Sequence, residues 1–174
     1  YVAPRVLPFV GIEPWSASAL VNAGYKDYRD IVTPTAFVTK YVFRGFEKAC
    51  HFEYKFDSKT EQDFAFILEN DATVTKWLRP APNQFRIYWD NNSKKYEPDF
   101  IVETADTIYM VETKALNNIN DPDVQAKKVA AERYCKYASE FTAQHGGKAW
   151  KYLLLPHDRV SKTKSMDYLK SITT

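Results

Sequence analysis

Two apolar segments, residues 97–102 and 108–114, constrain the fold of this chain more than any other feature. Both are rich in β-branched and aromatic residues, which are typical of strands. The connection between them, residues 104–107, is short enough for a β-hairpin. We therefore predict two adjacent antiparallel strands, whose pairing decides which side chains can meet.

Charged residues interrupt the apolar pattern at one end of this predicted hairpin. Asp99 stands near the start of the first strand, and Glu112 and Lys114 stand near the end of the second. Side chains at positions i and i+2 of a strand project from the same face, so Glu112, Lys114 and Met110 share a face. We predict that the carboxylates of Asp99 and Glu112 converge and that the Lys114 amine lies beside them.

This combination of two acids and a lysine suits phosphodiester hydrolysis. Mg²⁺ prefers carboxylate oxygens and keeps several waters, so a pair of carboxylates can hold it. The metal generates hydroxide and neutralises the phosphate, while a lysine stabilises developing charge. Each residue also has a structural interpretation: Asp99 as a turn residue, Glu112 as an ion-pair partner of Lys114, and Lys114 as a solvated strand end.

The same residues resemble the PD-(D/E)xK nuclease superfamily. Pro98-Asp99 matches the first half of its motif, and Glu112-Thr113-Lys114 matches the second. The surrounding residues, about 56–138, are similar to the C-terminal endonuclease domain of type III restriction enzymes. The similarity is carried by Phe56-Asp57-Ser58, Glu61, Phe64-Ala65, Leu68-Glu69, Val74, Trp77-Leu78-Arg79-Pro80, Phe85-Arg86-Ile87 and Tyr96-Glu97-Pro98-Asp99-Phe100. The resemblance implies an α/β, restriction-endonuclease-like fold, with a central mixed β-sheet flanked by helices.

The resemblance also implies a set of site residues. Mg²⁺, for which Mn²⁺ can substitute, would be bound by Asp99, Glu112 and the backbone carbonyl of Thr113, with Lys114 as the catalytic lysine. A glutamate on the first helix of the family faces the metal, and Glu61 is the matching position. Glu61 keeps a second interpretation, because Ser58-Lys59-Thr60-Glu61 is a capping-box sequence.

Partners are implied in the same way. Double-stranded DNA would be the substrate, an upstream helicase/ATPase part of the same polypeptide would act with the domain, and a methyltransferase subunit would recognise the target. The sequence has no Gly-x-x-x-x-Gly-Lys-Ser/Thr loop for ATP hydrolysis. Two alternatives stay open: a non-catalytic nucleic-acid-binding or docking module on this scaffold, and a repair or junction nuclease of the same superfamily.

The length of 174 residues, 45% of them hydrophobic, suits one domain with room for an extension. We predict that residues 57–174 form the nuclease domain and that residues 1–56 form an N-terminal extension or linker of uncertain fold, packed on the nuclease core. Helices are predicted at residues 16–23, 25–32, 59–70, 121–142 and 165–172, and strands at 85–89 and 150–155, with a turn at 90–93.

The net charge of +2 gives no evidence for a nucleic-acid partner, so any DNA-binding surface must be local. The lysine clusters at residues 94–95, 127–136 and 148–164 are each interpreted as solvated faces.

No apolar run is long enough to span a membrane, and no signal peptide opens the chain. Since Cys50 and Cys135 are typical of reduced thiols, we expect a cytoplasmic protein, and Tyr1 suggests part of a longer one.

Overall fold

The apolar segment that ends in Glu112 and Lys114 lies inside the main β-sheet of a computed structural model, which describes residues 24–89 and 94–173. The described strands are β1 (Gly24–Asp27), β2 (Tyr41–Arg44), β3 (Val74–Leu78), β4 (Ile87–Trp89), β5 (Lys94–Tyr96), β6 (Phe100–Thr104), β7 (Thr107–Lys114) and β8 (Ala149–Pro156). The described α-helices are α1 (Lys59–Asn70), α2 (Pro122–Ala143) and α3 (Met166–Ser171), and short 3₁₀ turns cover Thr35–Lys40, Leu116–Asn118 and His157–Arg159.

The main sheet has the strand order β3-β6-β7-β8. Strands β3, β6 and β7 are antiparallel neighbours, whereas β8 runs parallel to β7 after the crossover through α2. The predicted hairpin is confirmed: β6 ends at Thr104, β7 begins at Thr107, and Phe100 pairs with Val111. β1 and β2 form a separate parallel pair, and β4 and β5 form a separate antiparallel pair.

Helices cover both faces of the main sheet. On one face, Val111 and Leu155 pack in a cluster with Phe64 of α1 and Leu169 of α3. On the other face, Met110 packs with residues of α2, among them Ala131 and Cys135. This sorting follows from the alternation of side chains along each strand. The architecture is therefore mixed α/β with a mixed sheet flanked by helices, as the sequence predicted.

Most of the predicted local elements are present. Helix α1 occupies residues 59–70, and the predicted helix and strand that follow the hairpin correspond to α2 and β8. The helix predicted at residues 25–32 is wrong, because Gly24–Asp27 pairs with β2 instead. The helix predicted at 16–23 and the turn at 90–93 lie outside the described residues. Among the described helices, none has the length and apolarity that crossing a membrane requires.

Residues upstream of α1 share the core of the main sheet. Tyr54 stacks on Trp77 of β3, with ring centroids 4.9 Å apart, and Phe46 meets the same indole edge-on at 5.2 Å. These aromatic residues belong to the same buried cluster as Phe64 and Phe100. One hydrophobic core therefore continues across residue 56.

The buried carboxylate of Glu69 links this upstream segment to α1 and β3. Its Oε1 accepts hydrogen bonds from the backbone N–H groups of Glu47 and Lys48, the latter at 2.8 Å. Its Oε2 accepts a hydrogen bond from the indole Nε1 of Trp77 at 2.8 Å. Only a carboxylate can accept at both oxygens, so this site requires an acid.

We expect Glu69→Gln to lower the free energy of unfolding by roughly 1–3 kcal/mol, because the amide NH₂ would oppose a buried donor and leave it unsatisfied. The measurement is urea denaturation. Glu132→Gln, at a side chain that is 52% exposed, is the control and should change the value by less than about 0.5 kcal/mol. Equal effects of the two substitutions would contradict the structural role of Glu69.

Candidate active site

Asp99 lies just before β6 and is bonded to the end of β7. Its Oδ2 accepts hydrogen bonds from the backbone N–H of Thr113 at 2.8 Å and from the Thr113 hydroxyl at 2.9 Å. The last β6–β7 pair joins Phe100 to Val111, so Thr113 extends beyond the paired residues. The Asp99 carboxylate therefore takes the place of the backbone carbonyl that a longer β6 would present to Thr113.

Glu112 and Lys114 meet on the opposite face of β7, as their spacing predicted. The Lys114 Nζ donates to Glu112 Oε1 at 2.8 Å, and the hydroxyl of Tyr96 donates to Glu112 Oε2 at 3.1 Å. Glu112 is only 5% exposed, whereas the Lys114 side chain is 31% exposed. The acid is thus fixed at both oxygens, and the ammonium group lies nearer to solvent.

The electrostatics show that Asp99, Glu112 and Lys114 form one group. Burial, followed by the charge of Glu112, raises the pKa of Asp99 to about 6, against the opposing effect of its bonds to Thr113. Burial disfavours the charged form of Lys114, but its hydrogen bond to Glu112 and the charges of both acids outweigh this, so its pKa is raised. Asp99 therefore lies within electrostatic reach of Glu112 and Lys114.

Glu61 lies at the margin of the group and has a capping role. The Ser58 Oγ accepts the Glu61 N–H at 3.2 Å, as in a capping box. The Glu61 carboxylate accepts the N–H of Asp57 at 2.8 Å, one residue before the helix cap. Burial, with a smaller effect from the charge of Asp99, raises the pKa of Glu61 against the opposing charge of Arg79. Glu61 also affects the site through charge, since its carboxylate contributes to the raised pKa of Lys114.

An ion pair with Arg79 also holds Glu61 in place. The Arg79 Nη2 lies 2.9 Å from Glu61 Oε2 and 2.6 Å from Asp57 Oδ2, and its Nε is 3.3 Å from the same Glu61 oxygen. Burial favours the neutral form of Arg79, but the two carboxylates outweigh it and raise its pKa. Glu61 is therefore part of a buried ion pair as well as a helix cap.

A small open cleft of about 180 Å³ leads to the half-buried Asp99. Its walls come from the start of α1, the end of β3 and the segment before β6. The lining residues are Asp57, Arg79, Pro80, Pro82, Glu97, Pro98 and Asp99. The cleft connects Arg79 and Asp57 to Asp99, so these three side chains face a common space.

The donors at this site fit a hydrated Mg²⁺. Across residues 24–89 and 94–173, no cluster of three or more His, Cys, Asp or Glu side chains has the arrangement of a metal site. Mg²⁺ does not require such a cluster, because one or two carboxylates are enough when several waters complete its octahedron. Asp99 and Glu112 provide the carboxylates. Since the N–H and C=O of a strand residue project to the same side, the Thr113 carbonyl faces the Asp99 side.

Sequence reasoning missed two polar residues of this site. Arg79 follows β3 and precedes a proline, and its ion pair joins residues 18 and 22 positions apart. Tyr96 ends β5 and reaches Glu112 across 16 positions. A buried tyrosine hydroxyl usually has a partner, but the sequence does not identify which one. The bond between the Thr113 hydroxyl and Asp99 also joins side chains that are distant in sequence.

The lysine clusters have acidic partners, in keeping with solvated faces. Lys94 lies 3.5 Å from Asp123, and Lys128 lies 3.8 Å from Glu132. The Nζ of Lys148 is 2.7 Å from a carboxylate oxygen of Glu103. Each of the three clusters therefore has at least one lysine paired with an acid.

Comparisons with family models, with curated proteins and with solved structures gave no match to this chain. The relationship to PD-(D/E)xK nucleases therefore depends on the motif residues and their geometry, and it is carried below as a proposal.

We expect Glu61→Gln to destabilise the protein by roughly 1–3 kcal/mol, although glutamine can complete a capping box. The substitution removes the negative charge from the buried pair of Glu61 with Arg79, and breaking a buried ion pair is costly. Urea denaturation measures the loss. Asp57→Asn removes the pair whose carboxylate is 82% exposed and should cost less than about 1 kcal/mol. A larger cost for Asp57→Asn would contradict this ranking.

Asp99→Asn should stabilise the metal-free chain at neutral pH. The asparagine oxygen can still accept from Thr113, while the repulsion with Glu112 is removed. The pKa of Asp99 is raised from 3.8 to about 6 on folding, so the parent loses stability as the pH rises across that interval. We expect the variant to be more stable by roughly 1–3 kcal/mol at pH 7 and nearly equal to the parent at pH 4.

The comparison is made by urea denaturation in EDTA at several pH values. A difference between Asp99→Asn and the parent that does not change with pH would show that repulsion between the two acids is not its source.

Proposed function

We propose that this chain is a Mg²⁺-dependent DNA endonuclease domain with a restriction-endonuclease-like fold. The observation that carries the proposal is the grouping of Asp99, Glu112 and Lys114 where β6 begins and β7 ends, with Asp99 facing a cleft. A buried acid, a half-buried acid and a lysine at the same sheet end match the chemistry of phosphodiester hydrolysis.

The order of elements supports the finer fold assignment. Leaving aside the small β4–β5 pair, the chain from residue 59 onward reads α1, β3, β6, β7, α2 and β8. The three antiparallel strands are followed by a helical crossover to a parallel fourth strand. This is the core order that the resemblance to PD-(D/E)xK nucleases implies. Fold alone does not determine function, so the proposal depends on the site residues.

In the proposed mechanism, Asp99, Glu112 and the Thr113 carbonyl would hold the metal. Mg²⁺, or Mn²⁺ in its place, would supply hydroxide at neutral pH and neutralise phosphate charge. Lys114 has three N–H donors, of which one bonds Glu112. Because its side chain is partly exposed, the remaining donors are free to contact a phosphate oxygen or to orient the attacking water. Glu61 assists by its charge, while Arg79 holds its carboxylate.

The substrate and partners follow from the resemblance. We propose double-stranded DNA as substrate, in a cytoplasmic type III restriction-modification enzyme. An upstream helicase/ATPase part of the same polypeptide and a methyltransferase subunit would act with this domain. The excess of carboxylates around the cleft is consistent with a metal between protein and phosphate, because the acids alone would repel DNA.

Lys114→Ala tests the enzymatic proposal. We expect the nicking of supercoiled plasmid in Mg²⁺ to fall about 10²–10³-fold, since preorganised charge at the reacting phosphate is typically worth that much. DNA binding should weaken only slightly, because one cation contributes a small share of the salt-dependent affinity. The assay is run on this chain and in the full-length context with its helicase part and partner subunit.

Lys151→Ala, at an exposed lysine of β8, is the matched control and should cut like the parent. Chelation of the metal by EDTA should abolish nicking by the parent and by the Lys151→Ala variant. If the Lys114→Ala variant cuts as well as the parent, or if the parent binds DNA without metal-dependent cleavage, the non-catalytic binding module becomes the better explanation.

A further inference from the structure

We infer that Tyr96 is a positioning residue that fixes the Glu112 carboxylate for cation binding. The inference builds on the proposed function, because it assigns Glu112 to a cation. It concerns a residue that lies outside the motif and outside the main sheet. The observation that carries it is the hydrogen bond of 3.1 Å from the Tyr96 hydroxyl to Glu112 Oε2.

The Tyr96 ring has little freedom to move. It is 3% exposed and packs with Met110 and Ala131 in the cluster between β7 and α2. Its backbone is held by β4, where Ile87 pairs with it and joins the same cluster. Because the ring is held by packing, its hydroxyl is delivered to one place, next to Glu112.

The direction of the hydrogen bond follows from the chemistry of the groups. An ionised carboxylate only accepts, so the single hydroxyl proton of Tyr96 is donated to Glu112. Tyr152 packs against the same cluster as Tyr96. The hydrogen bond that fixes Glu112 from this side is therefore the one from Tyr96.

Tyr96 and Lys114 together restrain both oxygens of Glu112. Lys114 bonds Oε1 and Tyr96 bonds Oε2, so rotation of the carboxylate would break one of the two bonds. Each oxygen keeps acceptor capacity for a cation. Partners that orient a metal-ligating carboxylate typically change metal affinity by about 10–100-fold when they are removed. The β4–β5 pair therefore contributes to the site by carrying Tyr96.

The test is isothermal titration of Mn²⁺ into the metal-free chain, without DNA. Tyr96→Phe retains the ring and removes only the hydroxyl, so we expect Mn²⁺ to bind at least about 10-fold more weakly than to the parent. Tyr109→Phe is the matched control. Tyr109 is a buried tyrosine of β7 whose side chain belongs to the cluster on the opposite face of the sheet. Removal of its hydroxyl should leave Mn²⁺ affinity unchanged.

Tyr96→Leu is the second variant, which keeps the inference testable if Tyr96→Phe does not fold. It also removes the hydroxyl that bonds Glu112, so we expect a similar loss of Mn²⁺ affinity. Thermal unfolding of each variant separates this effect from a general loss of stability. A variant whose unfolding midpoint falls while Mn²⁺ affinity is retained would show a structural role only and overturn the inference.

The outcomes separate the inference from the proposed function. If the parent binds Mn²⁺, Asp99→Asn abolishes binding, and both Tyr96 variants bind like the parent, the positioning role is overturned and the metal site stands. If the parent binds Mn²⁺ no better than Asp99→Asn does, the metal site itself fails, and the role of Tyr96 fails with it.

Discussion

The hydrogen bond between the Asp99 carboxylate and the Thr113 backbone determines the geometry at this end of the sheet. Strand β6 begins one residue after Asp99, so β7 would otherwise end with an unpaired N–H beside the cleft. Asp99 satisfies that donor with a side chain instead of a main-chain carbonyl. The consequence is a carboxylate held near the end of β7, within the electrostatic reach of Glu112.

Keeping the two acids together is costly, and the surrounding structure must offset that cost. The apolar faces of β6 and β7, buried between α1 and α2, provide the stabilisation. Glu97 lines the cleft but is paired with Arg86 and Lys95. The other carboxylates at or beside the cleft belong to Asp57, Glu61, Asp99 and Glu112, and the cations beside them belong to Arg79 and Lys114. The excess negative charge at this position is what a divalent cation would neutralise.

The sequence predicted the elements whose signals are local. The β6–β7 hairpin follows from alternation and a short connection, and α1 follows from its capping residues. The contacts of Arg79, Tyr96 and Glu69 were not predictable in the same way, because each joins side chains distant in sequence through packing. For the same reason, the sequence identified Glu112 and Lys114 as neighbours but gave no sign that a tyrosine holds the second oxygen of Glu112.

Stability alone does not explain the polar end of β7. A buried ion pair such as Glu112 with Lys114 is often no more stabilising than well-packed apolar residues of similar size. The apolar pattern of β7 could have continued to its end, and a phenylalanine in place of Tyr96 would then have needed no buried acceptor. Instead, Glu112 is buried, and its two oxygens accept hydrogen bonds from Tyr96 and Lys114. Asp99 lies close enough that burial and the charge of Glu112 raise the pKa of Asp99. Perturbed acids that face a cleft are typical of functional sites, and this arrangement favours cation binding over a purely structural role.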